Sequence, residues 1–394
     1  MLSAEGTQSR LQARLNAAFL EQLRPEMQVL MLCAQRDRTE QSAVRVKRLL
    51  QRPLDWRFLV EAADYHGLTP LAWFHLQRAV EHIPEEVANR FRAVGSQVTR
   101  SNLLLASEHV KLLKLLGPSA LPYKGPLLSE YLYGNLGLRP AVDIDIIVPR
   151  GSASHAIGVL LAQAFSMDPP LNEAQIAAAV RWGSEMTVTK PSVALDLHWA
   201  IAPGGFGLKV DLEGIVARAS HKTIVGSVLW PSAEDQLILL AVHAAKHLWR
   251  KLLWMADVSE LLERERSVDF GVVLKRSQEW GCERMVLITL LISQRLFGAA
   301  VPKSVLQMAE NSGPVSQIAA KSTAAMLSLT DLTLSRARHF SMLLMREQMG
   351  QKLRYAWGIA FEPQWGDLIS TPLPAWAGWA YPFVRMFRLT RIVG

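Results

Sequence analysis

The chain has little cysteine: only Cys33 and Cys282 occur among 394 residues, and they lie far apart. Two isolated thiols exclude both a disulfide framework and a zinc site built from thiolates. Long hydrophobic runs are missing too, since no uninterrupted apolar run approaches the roughly 18 residues of a membrane-spanning helix. The first residues, MLSAEGTQSRLQARL, lack the apolar stretch and the cleavage site of a signal peptide. We therefore expect a soluble, cytoplasmic protein without a transmembrane segment.

Hydrophobic residues are plentiful. They make up 50% of the chain, which supports a substantial core and argues against global disorder. The net charge of +8 favours an anionic partner, such as a nucleotide, a nucleic acid or a membrane surface. No block of consecutive basic residues occurs, however, and many proteins are basic without binding nucleic acid. The charge alone therefore leaves the partner open.

The most informative segment is residues 124–148, KGPLLSEYLYGNLGLRPAVDIDIIV. Its end predicts a strand on which Asp143 and Asp145 share one face, because strand side chains alternate. The opposite, core-facing side is predicted to consist of Val142, Ile144, Ile146 and Val148. Two adjacent carboxylates on an apolar strand are costly unless a cation lies between them. The pair therefore predicts a site for Mg²⁺ (or Mn²⁺), although D-x-D pairs also occur on solvated strand edges.

A turn and a short helix are predicted before this strand. Pro126 suits the first helical position, and Gly134 suits the end of the helix. Lys124 and Gly125 would then lie at a helix N-terminus, where free backbone N–H groups attract phosphate. Arg139, in the loop that follows, either contacts phosphate or fixes the acidic strand by ion pairing.

Two further strands, SEMTVTK and SVALDLHWAI, are predicted around a turn at residues 190–192. The second strand carries Asp196 and His198 on one face. A lone acid inside an apolar strand is expensive, so Asp196 is the predicted third carboxylate of a site for one or two metal ions. The alternative is a salt bridge between Asp196 and an arginine. His198 either binds phosphate or packs in support of Asp196.

Residues 232–265 predict one long helix, with Ser232 as its N-cap and Asp235 at capping-box spacing. A stripe on one face of this helix, at spacing i, i+4, i+7, i+11 and i+14, consists of His243, His247, Arg250, Trp254 and Asp257. Together with Lys246, the stripe predicts nucleotide binding, with Asp257 orienting one basic member; a buried polar network between domains is the alternative. Zinc is not expected, because HAAKH lacks the glutamate of H-E-x-x-H and Lys246 would repel a cation.

The pattern predicts an α+β fold in which a mixed sheet is flanked by helical regions. Four parts are expected: a helical region 1–115, an α/β core 116–231, a second helical region 232–350, and a tail 351–394. The tail is rich in tryptophan, phenylalanine and proline and ends with Arg385, Arg388 and Arg391. It either wraps the core or lies on a membrane surface, and its prolines favour wrapping because they interrupt a long amphipathic helix.

The order of these motifs resembles the polymerase-beta-type nucleotidyltransferase superfamily, and within it the uncharacterised nucleotidyltransferase family of bacteria. The matching features are AADYHGLTPL at 62–71, the K-G turn at 124–125, R-x-x-x-D-I-D-h-h-V at 139–148, D-L-H-W at 196–199 and H-x-x-x-H-x-W-x-x-L-x-W-x-x-D at 243–257. One departure is Gly125-Pro126, where the superfamily has Gly-Gly or Gly-Ser. Pro126 lacks an N–H, so one backbone donor to phosphate is missing, and Lys124 can compensate.

The resemblance implies transfer of a nucleotide from an NTP, such as ATP, to an acceptor hydroxyl. Asp143, Asp145 and Asp196 would hold Mg²⁺, while Lys124 and Arg139 would neutralise phosphate charge. The acceptor is open: a small molecule, a sugar, a peptide, a protein or a tRNA end. Two alternatives are a glycosyltransferase, which also uses D-x-D, and a catalytically silent protein that senses nucleotides.

Overall fold

The computed structural model of the chain describes residues 19–37, 39–334 and 338–393. The N-terminal segment considered above for a signal peptide, and the side chain of Arg391, lie outside the described part. The described residues are mostly helical and surround a small mixed sheet, which confirms the α+β fold with helical flanks. The division into four parts stays a prediction.

The region before the sheet is helical, as the apolar spacing predicts. Its helices are α1 (Pro25–Leu32), α2 (Glu40–Leu50), α3 (Trp56–His66), α4 (Thr69–Leu76) and α5 (Glu85–Leu116), with a 3₁₀ segment at Gln77–His82. The predicted break at residues 66–70 is confirmed: Gly67 ends α3 in the left-handed conformation, at φ +72°. The predicted break at residues 117–118 is also present, since α5 ends at Leu116.

The sheet forms the centre of the fold. In chain order, the strands of the sheet and the helices between them are β1 (Leu121–Pro122), α6 (Gly125–Tyr133), β2 (Ile144–Ile147), α7 (Arg150–Ala162), α8 (Glu173–Trp182), β3 (Glu185–Lys190) and β4 (Val193–His198). The strand order is β1-β2-β4-β3, in which only β2 and β4 are parallel. The short helix and its glycine stop at Gly134 are as predicted. The predicted hairpin of β3 and β4 is also present.

The prediction for the start of β2 was wrong in one respect. The strand begins at Ile144, so Asp143 precedes it, and Val142 is 85% exposed and does not face the core. Ile144, Ile146 and Val148 are buried as expected, and Ile147 is buried as well. The reason is that the strand starts only at Ile144, so its alternation does not place Val142, while within the strand all four residues are buried.

Elements after the sheet extend the helical flank. They are α9 (Leu212–Arg218), β5 (Ser220–Thr223), β6 (Ser227–Trp230), α10 (Ala233–Lys246), α11 (Leu252–Arg264), α12 (Phe270–Trp280), α13 (Glu283–Phe297), α14 (Lys303–Asn311), α15 (Gly313–Leu327), α16 (Arg338–Leu344), α17 (Met349–Phe361), α18 (Trp365–Ser370) and α19 (Tyr381–Val393). Strands β5 and β6 form a separate antiparallel hairpin, and 3₁₀ segments lie at Gly204–Phe206, Leu332–Leu334 and Ala375–Ala380.

The long helix predicted over residues 232–265 is two helices, α10 and α11. Ser232 caps the first of them as predicted, by accepting a hydrogen bond from the backbone N–H of Asp235. Leu248 and Trp249 both take φ +52°, which ends α10 and redirects the chain. Trp249 is fully buried, and its indole N–H donates to Thr289 Oγ1 at 2.7 Å. Tertiary burial of this tryptophan therefore outweighs the local cost of a left-handed backbone.

The tail residues after α16 pack on the sheet side of the molecule. Helix α17 contacts the 3₁₀ segment Gly204–Phe206, and Ala375–Ala380 contacts α8. Glu362 accepts hydrogen bonds from the backbone N–H groups of Gly204 and Gly205, both at 2.6 Å. Among the residues that the structure describes, no helix is long and apolar enough to cross a membrane.

Candidate functional site

Two carboxylates lie side by side at the centre of the sheet. Asp145 on β2 is the register partner of Asp196 on the parallel strand β4, so their side chains emerge on the same side. Asp145 is buried, whereas Asp196 is half-buried and accepts a hydrogen bond from Thr187 Oγ1 at 2.5 Å. The two residues are 51 positions apart in the sequence. Only the parallel pairing of β2 with β4 brings them together.

The predicted K-G turn lies directly against this pair. Lys124 caps α6, and its Nζ is 2.9 Å from Asp145 Oδ1, with only 15% of the lysine side chain exposed. Gly125 takes φ +70°, and a Cβ on it would lie 3.1 Å from the carbonyl oxygen of Asp143. Glycine therefore allows the turn to approach the acidic strand closely. The N-terminus of α6 and its lysine therefore lie beside the acidic pair.

His198 is buried between two acids. Its Nε2 lies 3.0 Å from Asp145 Oδ1 and its Nδ1 lies 3.0 Å from Glu185 Oε2. Burial alone would lower the pKa of His198, but the hydrogen bonds to Asp145 and Glu185 raise it. The histidine is packed, as one of the two interpretations proposed, although its hydrogen-bonding partner is Asp145 and not Asp196. It therefore holds the side chains of Asp145 and Glu185 in place within the site.

Glu185 is a member of this site that the motif reasoning missed. Besides His198, it contacts Lys246 Nζ at 3.3 Å. Burial would raise the pKa of Glu185, but His198 and Lys246 lower it to about 2. A signal was present in the sequence: a two-residue turn at 191–192 pairs Lys190 with Val193, and this register places Glu185 opposite His198.

The acidic pair has the chemistry of a cation site. One donor atom from each of Asp145, Asp196 and His198 lies within 4.8 Å of the other two. Among the described residues this group does not include Asp143, which sequence reasoning placed in the metal site. Asp143 is nevertheless close enough for its charge to interact with both neighbours. Burial and the negative charge of Asp145 raise the pKa of Asp143 to about 6, with a further contribution from Asp196.

Asp145 and Asp196, with Asp143 nearby, fit a divalent cation. Burial and the negative charge of Asp145 raise the pKa of Asp143, and a bound cation would offset that repulsion. For Asp145, burial would raise the pKa, but Lys124 and His198 lower it, so this carboxylate is ionised. Both ring nitrogens of His198 lie against carboxylates, so the oxygen atoms of Asp145 and Asp196 are the better donors.

The predicted basic stripe is only partly intact, because the helix that should carry it is broken. His243, His247 and Trp254 still meet, with ring centroids between 4.9 and 5.3 Å apart. Burial, followed by the charge of Lys246, lowers the pKa of His247 to about 4. Burial and the charge of Lys124 also lower the pKa of His243. These rings are therefore neutral and lie near the lysine of the turn.

The other two members of that stripe face elsewhere. Arg250 Nη1 contacts Asp331 Oδ2 at 2.9 Å. Asp257 accepts two hydrogen bonds from Arg139 Nε, at 2.9 and 3.0 Å, and one from Tyr133 Oη at 3.0 Å. Asp257 does not orient a member of the stripe, because its carboxylate is taken up by Arg139 and Tyr133, which corresponds to the alternative of a buried polar network.

Arg139 is fully committed to this buried contact. Burial disfavours its charge, but Asp257 more than compensates and raises the pKa of Arg139. Of the two roles considered for Arg139, ion pairing is therefore present, and its partner is Asp257 on α11 rather than the acidic strand. The arginine joins the loop before β2 to the helical flank.

Together, these features define a class of site. Paired carboxylates on neighbouring parallel strands, with a lysine and a glycine turn beside them, suit the binding of phosphates through a divalent cation. The model of one family, described as an uncharacterised nucleotidyltransferase, matches residues 52–298, and the chain belongs to that family. The match covers all of the motifs from the 62–71 stretch to Asp257, so the resemblance to an uncharacterised nucleotidyltransferase family is confirmed. No curated protein and no solved structure matches the chain.

Proposed function

We propose that the protein is a Mg²⁺-dependent nucleotidyltransferase that transfers NMP from an NTP to an acceptor hydroxyl and releases pyrophosphate. Mn²⁺ would serve the same carboxylates. The observation that carries the proposal is the direct pairing of Asp145 with Asp196, with Lys124 of the turn 2.9 Å from Asp145. Family membership supports the reaction class.

Each residue has a role that follows from its position. Asp145 and Asp196 would hold the cation, and Asp143, whose pKa is raised by burial and by the charge of Asp145, would complete the set. Lys124 and the N-terminus of α6 would bind phosphate oxygens, because both offer positive charge to the same region. His198 would hold Asp145 in place through its hydrogen bond.

The neutral rings of His243 and His247, next to Trp254, offer a surface for the base or sugar of the nucleotide. Lys246, held by Glu185, would add positive charge at the edge of that surface. Arg139 would act indirectly, since its guanidinium is occupied by Asp257.

The reaction makes one bond and breaks one. The acceptor oxygen attacks the α-phosphorus, the bond to the β-phosphate oxygen breaks, and the hydroxyl proton passes to a carboxylate, for which half-buried Asp196 is the best placed. A bound divalent cation supplies Lewis acidity, which stabilises negative charge on the phosphates. The protein contributes positioning and fixed charge, which are the main terms in phosphoryl chemistry.

Two alternative functions are distinguishable. A metal-dependent glycosyltransferase would not need Lys124 beside Asp145 or Asp196 beside the D-x-D segment, so the geometry favours nucleotide transfer. A catalytically silent nucleotide-binding protein is favoured by one observation: Lys124 and His198 both contact the same oxygen of Asp145. Such a protein would bind an NTP without releasing pyrophosphate.

The test is pyrophosphate release from each of the four NTPs, with Mg²⁺ and a cell lysate as the source of acceptor. Asp196→Asn should reduce the rate by at least about 10²-fold, since it removes a charge that acts on the transition state. Asp37→Asn, an exposed carboxylate elsewhere, is the matched control and should leave the rate unchanged. NTP binding without pyrophosphate would indicate the silent protein, and turnover of a sugar nucleotide alone would indicate the glycosyltransferase.

A further inference from the structure

Helix α19 exposes apolar side chains to solvent and turns two charged side chains toward a buried carboxylate. Among residues 381–389, whose side chains the structure describes, the exposed positions have the spacing i, i+3 and i+4 and are all apolar: Phe383, Met386 and Phe387. Two arginines of the helix contact the fully buried Asp367, with Arg388 Nε at 2.9 Å and Arg385 Nη1 at 3.9 Å. A surface helix of a water-soluble protein normally has the opposite arrangement, with its charges outside.

The neighbouring helix has an apolar outer face as well. On α17, which packs against α19, the positions 349, 353 and 357 are exposed and carry Met349, Leu353 and Trp357. The adjoining 3₁₀ segment contributes Trp376, which is 80% exposed, and Trp379, whose ring centroid lies 6.2 Å from that of Phe383. Large exposed apolar patches of this kind usually mark a binding surface. We call this set of eight side chains the aromatic patch.

The exposed charges of the tail around the aromatic patch are basic. Residues 338–394 contain seven lysines and arginines but only three acids. All three acids are occupied inside the protein: Glu347 accepts from the backbone N–H of Arg284, Glu362 from those of Gly204 and Gly205, and Asp367 from that of Gln364. Arg338 and Arg354 are exposed. The outer surface of this region is therefore apolar and basic.

We propose that the aromatic patch binds the surface of a membrane that contains anionic lipids. Tryptophan and phenylalanine suit the boundary between lipid headgroups and acyl chains, and nearby arginines attract anionic headgroups. A second copy of this chain would fit less well, because it would bring another positively charged surface against the first. The tail thus has two faces: one packs on the core, as expected from the prolines, and the other faces outward to lipid.

The test is co-sedimentation of the full chain with vesicles of phosphatidylcholine, with and without phosphatidylserine. We expect binding to the vesicles that contain phosphatidylserine, and weaker binding at high salt because the attraction to lipid charge is screened. The double variant Leu353→Ser/Phe383→Ser removes one exposed apolar side chain from each helix. It should bind at least about tenfold more weakly, since less apolar surface is buried.

The matched control is Leu103→Ser/Leu104→Ser, which removes two exposed leucines from α5 and should bind like the parent. Asp196→Asn should also bind vesicles normally, so that loss of catalysis and loss of membrane binding can be told apart. The proposal is overturned if the parent does not bind these vesicles, or if the double variant binds as well as the parent. It is also overturned if light scattering shows a dimer that the double variant abolishes while vesicle binding is absent.

Discussion

Two ion pairs begin in the same short segment and end in very different surroundings. Arg139 reaches Asp257 on the helical flank, and Lys124 reaches Asp145 on the sheet. In the first pair both side chains are almost fully buried, and the carboxylate receives three hydrogen bonds from the arginine and Tyr133. In the second pair the lysine is partly exposed, and the carboxylate belongs to a row of charges.

That row alternates basic and acidic side chains from the turn to the surface: Lys124, Asp145, His198, Glu185 and Lys246. It opens to solvent at Glu185, whose side chain is 40% exposed, and Asp196 and Asp143 add further acid beside it. We call Arg139–Asp257 the closed pair and the row from Lys124 to Lys246 the open row. The closed pair holds the loop before β2 against helix α11, whereas the open row can exchange partners with a ligand. The difference suggests that Arg139 acts mainly on stability and Lys124 mainly on catalysis.

The largest effect is expected from breaking the closed pair. Arg139→Met leaves Asp257 buried without its cation, which should lower the free energy of unfolding by about 3–5 kcal/mol. Urea denaturation measures this change. Arg218→Met is the matched control: Asp235 keeps its second partner, Arg276 at 3.1 Å, so the loss should be clearly smaller.

The double variant Arg139→Met/Asp257→Leu should recover most of the loss, because no uncompensated charge is then buried. An equally unstable double variant would mean that packing, and not the unpaired carboxylate, explains the single variant. That result would remove the contrast between the two pairs.

The second largest effect is expected from removing Lys124, the first member of the open row. Lys124→Met should lower nucleotidyl transfer by about 10²-fold, because a preorganised positive charge on phosphate is lost. Affinity for Mn²⁺ alone should rise, since Asp145 no longer shares its oxygen with an ammonium group. Titration of bound Mn²⁺ and pyrophosphate release measure the two changes. Lys222→Met removes a lysine whose 2.7 Å ion pair is with Glu265, and should change neither. Equal Mn²⁺ affinity for Lys124→Met and the parent would contradict the exchange of partners.

The smallest expected effect is on stability and depends on pH. The pKa of Asp143 is raised to about 6 from its usual 3.8, so the folded state holds this proton more tightly than the unfolded state. The resulting stabilisation is complete below pH 3.8 and is lost as the pH rises through 6. Without divalent cations, Asp143→Asn should therefore be more stable than the parent at pH 8 by about 1–2 kcal/mol, a discounted value because the group is partly solvated.

At pH 3.5 this gain should disappear, and Mg²⁺ at pH 8 should stabilise the parent more than the variant. The same variant is expected to lose Mg²⁺-dependent transfer while it keeps its fold. Urea denaturation at both pH values, with EDTA or Mg²⁺, measures the difference. An equal gain at both pH values would show that the carboxyl group does not titrate as described.

Much of the site could be predicted because the signals are local. The glycine and proline around Lys124 predict the turn, and alternation on β4 places Asp196 and His198 on one face. Glu185 was missed although the hairpin register contained the signal. The break between α10 and α11 had no such signal, since neither glycine nor proline occurs at residues 247–251. It depends on burying Trp249, which only the assembled core can do.

The sequence by itself determined most of the elements around the acidic site and the residue types of that site, because backbone preference and side-chain alternation act over a few residues. The tertiary structure decided which charges meet. Arg139 lies 118 positions from Asp257, and Asp145 lies 53 positions from His198. Charges so far apart in the chain are paired by the packing of helices and strands, and it is this pairing that leaves Lys124, and not Arg139, beside the carboxylates.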